Sequence, residues 1–262
     1  MAKQAIRTAQ SEKWLFMDVG NTALTFQALH GSGLSAHFSI PNNDIPKLIY
    51  KLSKKGLIDS DTLIAIASVV PQISRFLTNE FRKTAVKTVL LAGENFPVKI
   101  RHKYNNYSKL GIDRKINAAG AIFLYGGPCA VFDFGTALTV DCISAQNVFE
   151  GGFIIPGPQI AFQALANKTA LLPIGLKIPD KTRGFLGRNT SDCMKNGILV
   201  GYGAMATDLI RQLRQRYGKK LKTIATGGFA SKIRPYAPGF DLIDPQHTLR
   251  SLALLALQHT NK

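Results

Sequence analysis

Phe132-Asp133-Phe134-Gly135-Thr136-Ala137-Leu138-Thr139-Val140-Asp141 reads as an apolar strand, a tight turn at Gly135-Thr136 and a second apolar strand. A carboxylate, Asp133, stands just before the glycine, and a hydroxyl, Thr136, just after it. That set suits a phosphate with a cation. Glycine lets a phosphate approach backbone N–H groups, the hydroxyl donates to an oxygen, and the carboxylate holds the cation. Asp and Gly are also ordinary turn formers, so one copy says little. The layout occurs twice. Phe16-Met17-Asp18-Val19-Gly20-Asn21-Thr22-Ala23-Leu24-Thr25-Phe26 repeats it, with Asp18 standing 115 positions before Asp133. Two such hairpins about one domain length apart predict a duplicated architecture with a nucleotide between the halves.

Outward from the hairpins, the pattern is consistent with two α/β halves. In the first, Trp14–Leu29 is the hairpin and Ser35–Ile40 a third strand. Ile45, Leu48, Ile49 and Leu52 recur at helical spacing, with Asn42–Asp44 as the cap region. Leu63–Ala67 reads as a buried strand, Ile73–Ala85 as a helix and Thr88–Leu91 as a strand. The second half, from Ala130, repeats the plan with a third strand at Val148–Ile155, interrupted by Gly151-Gly152. A long helix capped by Asn189–Asp192 runs to about Tyr217, followed by a strand at Thr223–Thr226 and a closing helix at His247–Leu257. The predicted organisation is an extension at 1–12, a first half at 13–127 and a second at 128–262.

The chain has 262 residues, enough for two cores. No apolar run reaches the roughly 18 residues that span a bilayer, and Met1–Arg7 lacks the apolar region of a secretory signal. The three cysteines, Cys129, Cys142 and Cys193, form no C-x-x-C pair, which argues against a zinc site and a disulfide framework. A cytoplasmic protein without a membrane partner is expected. The net charge of +17 points to anionic ligands or to a solvated basic surface. No basic cluster has the interleaved aromatics of a single-strand binder, so nucleic acid is not expected as a partner.

Three further stretches could carry chemistry. Gly111-Ile112-Asp113-Arg114 precedes the helix Lys115–Tyr125. Asp113 there is either a helix cap or an acid that orients a substrate hydroxyl beside a cation, the pairing that phosphoryl transfer needs. Thr226-Gly227-Gly228 follows a strand and would let a phosphate or flat ligand lie against backbone. Gly197, Gly201 and Gly203 lie inside the long helix, each at a cost of about 1 kcal/mol against Ala, and imply close packing on another lobe or a second subunit.

Together these motifs resemble the type III pantothenate kinases of the acetate-kinase/Hsp70/actin-type superfamily. The resemblance runs from Trp14 to the end and includes Asp141, Pro156-Gly157, Ala170-Leu171-Leu172-Pro173 and Gly187-Arg188-Asn189-Thr190. It implies two ribonuclease-H-like halves, each a mixed sheet flanked by helices, with ATP in the cleft between them and a homodimer. The implied reaction is ATP-dependent phosphorylation of pantothenate to 4′-phosphopantothenate, the first step of coenzyme A synthesis. It further implies Asp113 as proton acceptor, with Tyr104, Gly111, Ile112, Asp113, Arg114 and Thr190 on pantothenate. Asp18, Val19, Gly20, Asn21, Thr22, Ala23, Leu24 and Thr25 would form the first phosphate loop. Thr136, Gly227 and Gly228 would contact ATP with its Mg²⁺, and Asp133 would bind potassium or ammonium. Many members have Lys at the position of Thr25, and many have a Pro where this chain reads Asn105-Asn106-Tyr107-Ser108. The alternatives are a regulatory or transcription-accessory protein on the same scaffold and a kinase for another small hydroxyl acceptor.

Overall fold

A computed structural model describes residues 12–30, 33–168, 173 and 175–260. Residues 1–11 of the expected extension, and Ala170-Leu171-Leu172, lie outside them. The strands are β1 Lys13–Val19, β2 Ala23–His30, β3 Gly33–Leu34, β4 Phe38–Pro41, β5 Thr62–Ser68 and β6 Thr88–Leu91. Then follow β7 Arg101–His102, β8 Cys129–Phe134, β9 Ala137–Ile143, β10 Val148–Pro156, β11 Lys222–Thr226 and β12 Leu242–Ile243. The α-helices are α1 Ile45–Lys54, α2 Pro71–Arg82, α3 Ile112–Tyr125, α4 Pro158–Lys168, α5 Thr190–Tyr217, α6 Ala230–Ile233 and α7 His247–Thr260.

Two mixed sheets result. The first runs β3-β2-β1-β5-β6, with β4 also on β2; the second runs β12-β11-β8-β9-β10-β7. β1 pairs antiparallel with β2 and parallel with β5, and β8 pairs antiparallel with β9 and parallel with β11. The repeated hairpin is therefore the centre of a repeated topology. The central strands β1, β5 and β8 are largely apolar because both of their faces are covered. In β1, Trp14 and Phe16 face one core, and Leu15, Met17 and Val19 face the other.

The chain forms two compact units. One comprises 1–100, 105–124 and 246–262; the other comprises 101–104 and 125–245. This corrects the expected assignment of 128–262 to the second half. Leu249, Leu252, Ala253, Ala256 and Leu257 of α7 pack with Trp14, Phe16, Leu63 and Ala65 of the first sheet. An apolar helix face settles on whichever sheet face is uncovered, and sequence order does not name that face. Three other expectations change. The third strand, read as Ser35–Ile40, is instead β3 and β4. The glycines of β10 do not interrupt it but form a bulge, with a register shift between Phe149 and Gly151. Gly203 is close-packed, but within its own unit and not on another lobe or subunit, since a Cβ there would lie 2.3 Å from the Tyr236 side chain, whereas Gly197 and Gly201 have nothing within 4 Å.

Candidate active site

In the first unit the hairpin turn is Gly20-Asn21-Thr22. Gly20 N–H donates to Ala23 O at 3.0 Å. Asp18, next to last in β1, stands opposite Thr25 in the ladder, and it is half-buried while Asn21 and Thr22 are exposed. Asn42 holds the turn from outside, its Nδ2 donating to Gly20 O and Asn21 O at 3.0 Å each. Sequence reading put Asn42–Asp44 in a helix cap. The structure gives that stretch a short 3₁₀ turn, and neither Pro41 nor Asp44, at the caps of the turn and of α1, makes a side-chain cap bond. Asn42 serves the hairpin because its two turn carbonyls are within reach and need donors.

The same unit carries Gly111–Arg114 at the start of α3. A Cβ on Gly111 would stand 2.5 Å from Asp113 Oδ1, so glycine leaves the room that the carboxylate occupies. Asp113 Oδ1 accepts the Arg114 N–H at 2.8 Å. Burial pushes the Asp113 carboxyl up from its ordinary value, against the opposing pull of the Arg114 N–H and guanidinium. A carboxylate so raised is a better proton acceptor than an exposed one. The Asn105–Ser108 loop is anchored without its proline. Tyr107 Oη donates to Val98 O at 2.8 Å, and Lys115 Nζ lies 4.3 Å from the Tyr107 ring centroid.

In the second unit the turn Gly135-Thr136 is one residue shorter, and Gly135 N–H donates to Ala137 O at 3.1 Å. Two glycines enclose it. A Cβ on Gly157 would lie 2.3 Å from both Gly135 O and Thr136 O. A Cβ on Gly227, whose φ is +85°, would lie 2.5 Å from Asp133 Oδ1 and 2.8 Å from Phe134 N. Asp133, Thr136 and Gly227 thus come together on one unit, and Gly228 follows on the exposed side. Thr226 pairs with Asp133 across β11 and β8. Its hydroxyl is fully buried without a hydrogen-bond partner. Thr190 opens α5, exposed, behind an Asn189 cap that accepts the Asp192 N–H at 2.9 Å. Tyr104 sits in this second unit with its ring 5.9 Å from that of Phe149, so it and Asp113 belong to different units. Asn42 and Gly157 escaped the sequence reading as site residues, whereas Thr226 was singled out with Gly227 and Gly228 but without a role for its hydroxyl. Of the two that escaped, only Gly157 carried a signal, its place beside Pro156 in a recurring motif.

Residues 14–212 match the profile of the type III pantothenate kinase family. The chain belongs to that family. It is 35% identical over 257 residues to the type III pantothenate kinase of Thermus thermophilus, covering 93% of this chain and 98% of the relative. It is 31% identical over 258 residues to the one from Dehalococcoides mccartyi, covering 95% and 97%. Among solved structures it is similar to MreB5 of Spiroplasma citri bound to ADP, with a TM-score of 0.53 and 11% identity, over 94% of this chain and 95% of that one. The fold is of the actin type. Thr25, opposite Asp18 in the first hairpin, has its Oγ1 3.3 Å from Ser39 Oγ. Among the described residues no three His, Cys, Asp or Glu side chains converge as a metal cluster, and no helix is long and apolar enough to cross a membrane.

Proposed function

We propose that the chain transfers the γ-phosphoryl group of ATP to the 4′-hydroxyl of pantothenate, yielding ADP and 4′-phosphopantothenate for coenzyme A synthesis in the cytoplasm. Besides family membership, the observation that carries the residue roles is the Asp113 carboxylate, half-buried in the space left by Gly111 and raised by that burial. Asp113 accepts the hydroxyl proton as the new O–P bond forms and the bond between the γ-phosphorus and the leaving ADP oxygen breaks. Gly111, Ile112, Arg114, Tyr104 and Thr190 hold pantothenate, with the Arg114 guanidinium offsetting its negative charge. The turn residues Asp18–Thr25, with Thr136, Gly227 and Gly228, hold the phosphates through N–H and hydroxyl groups.

A magnesium ion would sit on the ATP phosphates near Asp18 and neutralise their charge. Asp133 would hold potassium or ammonium. The close approach that Gly227 allows to Asp133 Oδ1 and the orphan Thr226 hydroxyl suit a weakly held monovalent ion. Potassium or ammonium should therefore support faster turnover than sodium, and equal rates in all three salts would remove Asp133 from that role. The chain acts as a homodimer in this reading. Phe153, Ile154, Ile160 and Leu165 are exposed apolar residues on β10 and α4, and Gly197 and Gly201 leave open space on α5. The test is ADP release from purified protein with ATP, Mg²⁺ and potassium. Release that depends on pantothenate supports the reading; release indifferent to pantothenate, from folded protein, refutes it.

A further inference from the structure

We propose that the first turn of α7 positions the Asp113 carboxylate, with His247 and Thr248 holding Asn117 and so fixing how α3 presents the base. The inference rests on the kinase reading of Asp113. Asn117 lies four residues after Asp113, one helical turn further along the same face of α3. It is buried to 1% exposure. Its side-chain Oδ1 accepts the Thr248 hydroxyl at 2.8 Å, and its backbone carbonyl lies 3.0 Å from His247 Nε2. A carbonyl only accepts, so His247 Nε2 is the donor.

His247, Thr248 and Ser251 are buried with Asn117. Four buried polar side chains where the two helices meet are costly to desolvate, and plain apolar packing would hold the helices together as well. Hydrogen bonds add direction. They fix the rotation of α3 about its own axis, which sliding apolar contacts do not. Distance is fixed at Gly120, where a Cβ would lie 1.8 Å from Ser251 Oγ and 3.1 Å from Ser251 Cα. No side chain fits there, so the helices meet at backbone contact. With rotation and separation both set, the first turn of α3 and its carboxylate have one orientation. The base is thus held by a helix from the far end of the chain.

The experiment compares Thr248→Val and Thr248→Ser by two readouts, pantothenate-dependent ADP release and the titration of the Asp113 carboxyl followed by ¹³C NMR. Thr248→Val should lower kcat about tenfold, the scale of a small misplacement of a reacting group, leave the KM for ATP unchanged and move the Asp113 midpoint. Thr248→Ser should restore both. The paired variant Asn117→Leu with Thr248→Val replaces both partners by apolar groups and should fold, yet keep the loss; wild-type turnover in it would overturn the proposal. An unmoved Asp113 midpoint in Thr248→Val would also overturn it. Should wild-type protein release no pantothenate-dependent ADP, the kinase reading fails alone, and the NMR midpoint still decides whether α7 positions Asp113.

Discussion

The two hairpin turns share a hydrogen bond and differ in how they are held. In each, a glycine N–H donates back across the turn, at 3.0 Å to Ala23 O in the first and 3.1 Å to Ala137 O in the second. The first turn has an extra residue, exposed tips and a side-chain clamp from Asn42. The second is closed in by Gly157 and Gly227, both at distances that no side chain tolerates. A side-chain clamp can shift with a ligand. Backbone packed on backbone cannot shift without moving the strands. The duplicated motif thus supplies one adaptable turn and one rigid one.

The largest effect should fall outside both turns. Asp113→Asn should lower kcat about a thousandfold, within the range for loss of a general base, while melting no lower than wild type at neutral pH. The sign follows from burial. A carboxyl whose folded pKa is raised favours the native state below its unfolded pKa and loses that contribution as pH rises through the folded value. The ionised form therefore costs stability at neutral pH, and Asn removes the cost. Wild-type kcat should fall, as pH drops, through a midpoint above the ordinary 3.8 of aspartate. Retained activity in Asp113→Asn would remove Asp113 from the role of base.

Gly157→Ala comes next. Forcing a Cβ against two turn carbonyls should lower stability by about 3 kcal/mol, read as a fall in melting temperature, with ATP turnover lost alongside. Asn42→Ala should cost about 1 to 2 kcal/mol for two unmet carbonyls and raise the KM for ATP with kcat little changed. If Asn42→Ala proved as damaging as Gly157→Ala, the first turn would be as rigid as the second. Gly20→Ala should be the mildest. Its nearest atom to a Cβ is Ala23 O at 3.5 Å, so stability should change by less than about 1 kcal/mol, and only the KM for ATP should rise as the new methyl crowds the phosphate.

Much of this was legible in the chain itself. The paired Asp-x-Gly layouts marked both turns, because turn and strand preferences depend on residues a few positions apart. Gly111 and Asp113 were legible as neighbours, but not the reason for the glycine, which is the space filled by Asp113 Oδ1. Tyr104 and Asp113, which the resemblance puts together on pantothenate, stand nine positions apart and fall in different units. Of the three glycines in α5, sequence could not tell the packed Gly203 from the open Gly197 and Gly201, because the difference lies in whether Tyr236 arrives.

Sequence by itself determined the repeated hairpins, the helix and strand periods and the family, since each depends on residue type at short or fixed spacing. Tertiary structure alone decided that α7 returns to the first sheet, that Gly157 and Gly227 close the second turn, and that Asn42 clamps the first. Those outcomes depend on which uncovered surface a distant segment meets. Apolar burial is non-directional, so only the assembled shapes choose between surfaces of equal hydrophobicity.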